Sequence, residues 1–197
     1  MCPACGAFER SAGKTLEADV KANKAQVRYH TIAILDAASN GTNYSTRAAN
    51  ASLCASDVSV DAFVKFHDIL FQSDVQPKEN SNGLTDGRFL QIAQQAGLAT
   101  GAQATFTTCV QTEQHKALVE ALTENASKRG VTGTPTVLVN GKTVKTDLAS
   151  VTAAIAAADA KGPAPAPSPT STPTPSKSGT GTATKSASPS ATTSTKG

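Results

Sequence analysis

The feature that most constrains the fold is a Cys2-Pro3-Ala4-Cys5 motif directly ahead of a helical pattern. Apolar residues recur after it at roughly helical spacing, which predicts a helix over about residues 3–23. A helix start offers unpaired backbone N–H groups and the positive end of the helix dipole, and both favour a thiolate over a thiol. Pro3 suits the first helical turn, where its missing N–H is not needed. We therefore expect Cys2 to be a solvent-facing nucleophile, with Cys5 one turn further in as the resolving cysteine.

A single CxxC motif is only moderately specific, because the same spacing occurs in zinc sites and in plain structural disulfides. Zinc normally needs a second, closely spaced pair of cysteines or histidines. The other two cysteines, Cys54 and Cys109, stand alone, and the three histidines are scattered along the sequence. Redox chemistry is the favoured interpretation, and we expect neither a metal nor an organic cofactor.

Only about the first 160 residues can build a hydrophobic core. From Pro163 onward the sequence contains no aliphatic residue larger than alanine and no aromatic residue. Such a segment cannot bury enough apolar surface to offset its ordering entropy, so we expect residues 163–197 to form a disordered Pro/Ser/Thr-rich tail. The remainder has the size of one domain.

The net charge of +3 comes from that tail, which has three lysines and no acidic residue. Without them, 15 of the 18 basic residues remain and balance 15 acidic residues, so there is no basic patch and no nucleic-acid partner is expected. The apolar runs are too short to span a bilayer, and the sequence has no signal peptide. Four cysteines nevertheless suit an oxidising compartment. We therefore expect an extracytoplasmic protein (cell envelope or secreted) whose natural N-terminus carries a targeting segment.

The hydrophobic pattern changes its period along the chain. A β-rich run is followed by a polar turn, a long helical block and a second β-rich run with a hairpin signal at Asn140-Gly141. Ser59 (or Asp57), Thr85 and Asp147 are expected to cap helices. The predicted elements are a helix at about residues 3–23, a strand at 27–35 and a helical block at 44–129. Two strands follow at 136–139 and 143–145, and a final helix at 148–161.

Together these features resemble the DsbA-like thiol–disulfide oxidoreductases. The resemblance rests on the CPAC motif at a helix start, a strand ending in Asp36, an all-helical insertion, and Gly133-Thr134-Pro135-Thr136 ahead of a strand. It covers about residues 2–160 and implies an α/β, thioredoxin-like fold with an inserted all-helical subdomain. The implied N-terminal part of the thioredoxin fold covers residues 1–43, and the helical insertion covers residues 44–130. The C-terminal part of the thioredoxin fold follows at residues 131–162, and the tail at residues 163–197.

The resemblance also assigns roles to individual residues. Pro135 should be the family's cis-proline, facing the CxxC motif and presenting backbone groups to a substrate, and Thr134 should tune the thiolate and substrate release. An ordinary turn before a strand is the alternative. The resemblance is greatest to the actinobacterial branch of the family, in which a second disulfide ties the insertion helices together. This implies a structural disulfide between Cys54 and Cys109, with two buried free cysteines as the alternative.

The sequence departs from the family pattern in two places. Family members have a central β-strand immediately before the CxxC motif, whereas only Met1 precedes Cys2 here. Without that strand its neighbours would lose ladder partners. We therefore expect an N-terminally truncated chain, markedly less stable in chemical denaturation than a form that includes the strand. Inside the motif, Ala4 cannot make the thiolate contact that a histidine makes in some members, so a milder oxidant is expected.

The expected function is disulfide formation in unfolded or partly folded secreted or envelope proteins. A substrate thiolate would attack Cys2, and a second one would release the mixed disulfide. The resemblance implies a membrane-bound oxidase as the reoxidising partner, and we expect a monomer. The alternatives are a disulfide reductase or isomerase that uses the same residues, and a redox-inactive thioredoxin-fold module that binds extended peptides.

Overall fold

The computed structural model describes residues 1–160, so the tail predicted for residues 163–197 lies outside the described part. Residues 1–160 contain seven α-helices, a single turn of 3₁₀ helix at Asp36–Ala38 and one hairpin. None of these helices has the length and apolar content needed to cross a bilayer. The elements in chain order are α1 Pro3–Lys21, α2 Tyr44–Val58, α3 Val60–Leu70, α4 Asp86–Gln95, α5 Thr100–Gln111, α6 Lys116–Lys128, β1 Val137–Val139, β2 Lys142–Val144 and α7 Leu148–Asp159.

Local sequence signals fix the starts of three helices. Ser59, Thr85 and Asp147 each accept a hydrogen bond from the backbone N–H three residues later, at 3.0, 3.2 and 2.8 Å. Each bond satisfies one of the N–H groups that a helix start leaves unpaired. The expected caps are therefore confirmed, with Ser59 rather than Asp57 at the start of α3.

The larger core lies among helices α2 to α5. Phe66, Phe89 and Phe106 come from three different helices and are almost completely buried. The ring centroid of Phe66 lies 5.7 Å from that of Phe106 and 6.3 Å from that of Phe89. Helix α2 buries mainly small residues, including Ala51 and Ala55, which allows its neighbours to approach closely. The helical block therefore has a hydrophobic core of its own.

A smaller core joins the two ends of the described chain. Phe8 and Ala12 on α1 pack with Val151 on α7, and Val137 and Val144 of the hairpin pack against them. This cluster holds the helix that begins at the CxxC motif against the hairpin. It thereby determines which loops can reach the cysteines.

The hairpin follows the sequence prediction. Strands β1 and β2 pair antiparallel, with Val137 opposite Val144. Asn140 and Gly141 at the turn have φ values of +49° and +78°, the left-handed conformation that a two-residue type I′ turn requires. Asparagine and glycine are the residues that adopt it most readily.

The strand predicted for residues 27–35 is wrong, because this segment belongs to no strand. A β-rich sequence forms a strand only when another strand lies alongside to share its hydrogen bonds. Within the described chain the sheet consists of β1 and β2 alone. The backbone N–H of Ala33 donates instead to the Thr123 hydroxyl, at 2.9 Å. The composition of the segment favours a strand, but its pairing depends on distant parts of the chain.

Helix α5 lies inside the predicted helical block. It contains Phe106 and Cys109 and is 12 residues long. Its glycine and threonines are weak helix formers, so local propensity gives little signal. Packing of Phe106, Cys109 and Val110 into the core supplies the stabilisation that propensity does not.

Replacing Phe66 with alanine should test the helical core. Loss of a completely buried phenylalanine side chain is expected to lower the free energy of unfolding by about 3–5 kcal/mol. Val60 lies on the same helix but is 77% exposed, so Val60→Ala is the matched control and should change stability by less than about 0.5 kcal/mol. Guanidinium denaturation of both variants measures this, and comparable losses would contradict the assigned core.

Candidate active site

The N-terminus of α1 positions the two cysteines of the CxxC motif. Cys2 is the N-cap residue, with an extended backbone, and its Sγ accepts a hydrogen bond from the Cys5 backbone N–H at 3.1 Å. Its carbonyl oxygen accepts the N–H of Gly6, also at 3.1 Å, which starts the helix. Both cysteines are free thiols and partly exposed. The helix start therefore directs a backbone donor at the sulfur of Cys2, and such a donor stabilises negative charge there.

The loop before β1 supplies a second set of partners for Cys2, although it lies 132 positions away in sequence. The Thr134 hydroxyl donates to Cys2 Sγ at 3.4 Å. The backbone carbonyl of Thr134 lies 3.6 Å from the same sulfur and can accept its S–H. The Thr134–Pro135 peptide bond is cis. The Thr134 carbonyl can therefore accept a hydrogen bond from the thiol form of Cys2. The Cys5 N–H and the Thr134 hydroxyl can donate hydrogen bonds to its thiolate form.

Cys5 has a different environment. Burial raises the pKa of its thiol to about 12, and its hydrogen bond with Cys2 acts in the same direction, while one with Thr134 opposes them. A thiol with such a pKa stays protonated at neutral pH and is a poor nucleophile. The two sulfurs are thus chemically distinct, and Cys2 is the one placed to react with a partner molecule.

The structure adds one residue to the site that the sequence analysis missed. The side-chain amide of Gln76 donates to the Cys2 carbonyl oxygen at 2.7 Å, from the loop that follows α3. Gln76 lies 74 positions from Cys2 and belongs to no recognisable motif. No local signal could have found it, since the contact exists only because the helical block packs against α1.

The second cysteine pair lies in the helical core, away from solvent. Cys54 on α2 and Cys109 on α5 are joined by a disulfide, with their Cα atoms 5.9 Å apart and 55 positions between them in sequence. Each is no more than 2% exposed, so a protein partner cannot reach either sulfur. The ligand atoms of His115 and the two cysteines all lie within 4.8 Å of one another. Because both sulfurs are bonded to each other, this cluster cannot bind a metal ion as it stands.

Comparisons with known proteins point to one family. A family model described as Thioredoxin matches residues 1–157. Among solved structures, the reduced disulfide bond oxidoreductase DsbG of Mycobacterium tuberculosis is 35% identical, with a TM-score of 0.69, over 83% of this chain and 75% of that one. Oxidised M. tuberculosis DsbA is 36% identical, with a TM-score of 0.63, over 73% of this chain and 70% of that one.

Curated relatives are serine/threonine-protein kinases named PknE, from M. tuberculosis and M. bovis. They are 34% identical over 141 residues, which make up 68% of this chain and 24% of each kinase. The matched region therefore spans about a quarter of the length of these relatives.

Alkylation should distinguish the two sulfurs of the motif. In the reduced protein at pH 7–9, iodoacetamide is expected to modify Cys2 well before Cys5, because the raised pKa keeps Cys5 protonated. Tandem mass spectrometry of the N-terminal peptide measures the two rates. In the control variant Cys2→Ser, Cys5 should still react slowly, since burial is the main cause of its raised pKa. Equal rates for both cysteines would contradict the assignment.

Proposed function

The chain belongs to the thioredoxin family, as a DsbA-like thiol–disulfide oxidoreductase, and from this premise we propose that it forms disulfide bonds in secreted or cell-envelope proteins. The predicted class of enzyme and its α/β, thioredoxin-like fold with a helical insertion are confirmed by the family model and the solved relatives. The observation that carries the direction of the reaction is the contrast between the two sulfurs. Cys2 Sγ accepts hydrogen bonds from the Cys5 N–H and the Thr134 hydroxyl, whereas the partly exposed Cys5 is held as a thiol because burial raises its pKa.

The first half of the reaction transfers a disulfide to the substrate. In the oxidised enzyme, a substrate thiolate attacks Cys2 Sγ and the bond between Cys2 and Cys5 breaks. Cys5 leaves and takes up a proton, because its folded environment favours the neutral thiol. The product is a mixed disulfide between Cys2 and the substrate.

The second half releases the enzyme. A second substrate thiolate attacks the substrate sulfur of the mixed disulfide, and Cys2 leaves as a thiolate. The hydrogen bonds from the Cys5 N–H and the Thr134 hydroxyl stabilise the negative charge on the leaving sulfur. Overall, two substrate thiols become one disulfide and the enzyme gains two electrons. Cys5 takes one of the two protons, and the other goes to solvent while Cys2 is a thiolate. Stabilisation of reduced Cys2 favours this direction over reduction of substrates.

Thr134 and Pro135 are proposed to contact the substrate. In support of this role, Thr134 lies beside the sulfur that the substrate must reach. The residues from Val137 onward form the hairpin strand β1, so the loop is attached to a regular element. A substrate segment bound to Cys2 would therefore lie along this loop.

An extracytoplasmic location is proposed for the same protein. The buried disulfide between Cys54 and Cys109 supports it, because such bonds persist in oxidising compartments. The cysteine chemistry requires an oxidant to regenerate the Cys2–Cys5 disulfide, and a membrane-bound oxidase is the proposed partner. We also propose a monomer whose thioredoxin parts, residues 1–43 and 131–162, flank the insertion of residues 44–130.

A second candidate function is a binding or regulatory module that does not turn over substrate. The observation in its favour is the match to proteins named as serine/threonine kinases, in which the similar region is only about a quarter of the chain. Such a module would still exchange its cysteines with glutathione. It would not accelerate disulfide formation in a reduced protein, so catalysed oxidation separates the two functions.

A glutathione redox titration tests the assignment of the two cysteine pairs. Cys2 and Cys5 are expected to change state together as one two-electron pair, while Cys54 and Cys109 stay bonded because they are buried. Thiols are trapped by alkylation at each ratio of oxidised to reduced glutathione and identified by peptide mass. Titration of all four cysteines as a single group would contradict the separate roles.

Catalysis should depend on one cysteine pair and stability on the other. Cys2→Ser is expected to abolish oxidation of a reduced, unfolded secreted protein in glutathione buffer. The double variant Cys54→Ser/Cys109→Ser should keep that activity at low temperature but lose up to roughly 4 kcal/mol of stability, from the chain entropy of a loop of this length. Activity is followed by thiol loss in the substrate, and stability by urea denaturation. Full activity of Cys2→Ser would overturn the proposed mechanism.

A further inference from the structure

The loop after α3 reaches the active-site turn through a single side chain. The Gln76 amide nitrogen donates to the Cys2 carbonyl oxygen at 2.7 Å, and the same oxygen accepts the Gly6 N–H at 3.1 Å. A carbonyl oxygen has two lone pairs, so both bonds can be made together. The carbonyl that starts α1 is therefore held from two sides, by its own helix and by the helical block.

The orientation of the Gln76 amide follows from its neighbours. Its side-chain oxygen accepts a hydrogen bond from the Arg10 guanidinium at 3.2 Å, and Arg10 also donates to the Phe71 carbonyl at 2.8 Å. A flipped amide would place its oxygen against the Cys2 carbonyl and its NH₂ group against a guanidinium that can only donate. Both contacts would then be unfavourable. Only one orientation satisfies the network, and it directs a donor at Cys2.

Gly6 provides the space that this side chain occupies. A Cβ atom at position 6 would lie 2.0 Å from the Gln76 side-chain oxygen and 2.7 Å from the Arg10 guanidinium. Any side chain at position 6 would therefore displace Gln76. This gives a second, independent way to break the contact, at a residue that is itself buried.

We propose that Gln76 is a positioning residue for thiol–disulfide exchange at Cys2. Cys2 lies outside the helix, so its backbone can rotate unless its carbonyl is held. The hydrogen bond from Gln76 restrains that rotation and keeps Cys2 Sγ within reach of the Thr134 hydroxyl and the Cys5 N–H. Those two donors stabilise the thiolate, so the contact favours the reduced form of the pair and strengthens the enzyme as an oxidant. This inference rests on the proposed role of Cys2 as the exchanging cysteine.

The redox equilibrium with glutathione is the decisive measurement. A purely structural role would destabilise the oxidised and reduced forms alike and leave the equilibrium constant unchanged. In Gln76→Ala, the glutathione ratio at the midpoint should move roughly two- to tenfold toward a weaker oxidant, the range given by the loss of one hydrogen bond. The rate of Cys2 alkylation at pH 7 should fall in the same variant.

Gln72→Ala is the matched control. Gln72 is an exposed glutamine in the same loop, and its backbone carbonyl accepts the Gln76 N–H. Removing its side chain leaves that backbone bond intact, so the midpoint and the alkylation rate should stay at the wild-type values. Gln76→Glu is the second test variant, because a carboxylate can still accept from Arg10 but has no N–H to offer Cys2. It should shift the midpoint at least as far as Gln76→Ala.

Gly6→Ala tests the same contact from the other side. Alanine is favourable inside a helix, so this variant should fold well, yet it should move the midpoint in the direction of Gln76→Ala. The double variant Gly6→Ala/Gln76→Ala should shift the midpoint no further than the more affected single variant does, because both changes remove the same interaction.

The outcomes separate this inference from the proposed function. If wild-type Cys2 and Cys5 exchange with glutathione but Gln76→Ala has the wild-type midpoint, Gln76 is not a positioning residue and the oxidoreductase function stands. A shift of equal size in Gln72→Ala leads to the same conclusion. If the wild-type pair does not exchange at all, the proposed function fails and this inference fails with it.

Discussion

The site depends on the meeting of two chain segments at one sulfur atom. The Cys5 N–H and the Thr134 hydroxyl both donate to Cys2 Sγ, although 132 positions separate Cys2 and Thr134. The hydrogen bonds between Thr134 and a partly exposed sulfur are too weak to bring these segments together. Burial of Phe8 and Val151, between α1, the hairpin and α7, supplies the stabilisation. The chemistry at Cys2 is therefore a consequence of packing one to two helical turns away from the motif.

Environment, not residue type, distinguishes the four cysteines. Cys54 and Cys109 lie in the helical core, where no partner can reach their disulfide. Cys5 is partly exposed, but burial of its thiol keeps it neutral. Cys2 has hydrogen-bond partners for both of its protonation states. Two of the four sulfurs are thus protected by burial and a third is kept protonated, which leaves Cys2 as the sulfur placed to react.

The sequence was informative where structure is set by neighbouring residues. The helix after the motif, the cap at Thr85 and the turn at Asn140-Gly141 depend on a few adjacent residues, and each was predicted at the right place. Segment 27–35 has the composition of a strand, but strand formation needs a partner that composition cannot specify. Gln76 is a loop residue whose contact with Cys2 forms only when the helical block packs on α1. The features that could not be predicted from the sequence are therefore mainly those that depend on contacts between residues tens of positions apart.

The helical insertion takes part in the active site as well as in stability. Val75 is buried in the same core as Phe66 and Leu70, and the next residue, Gln76, holds the Cys2 carbonyl. Met1 on the other side of Cys2 is buried in that core too. Since a residue anchored next to a core has little freedom to move, the backbone of Cys2 is held to the insertion at two neighbouring points. The orientation of Cys2 Sγ therefore depends on the insertion as much as on the helix that carries it.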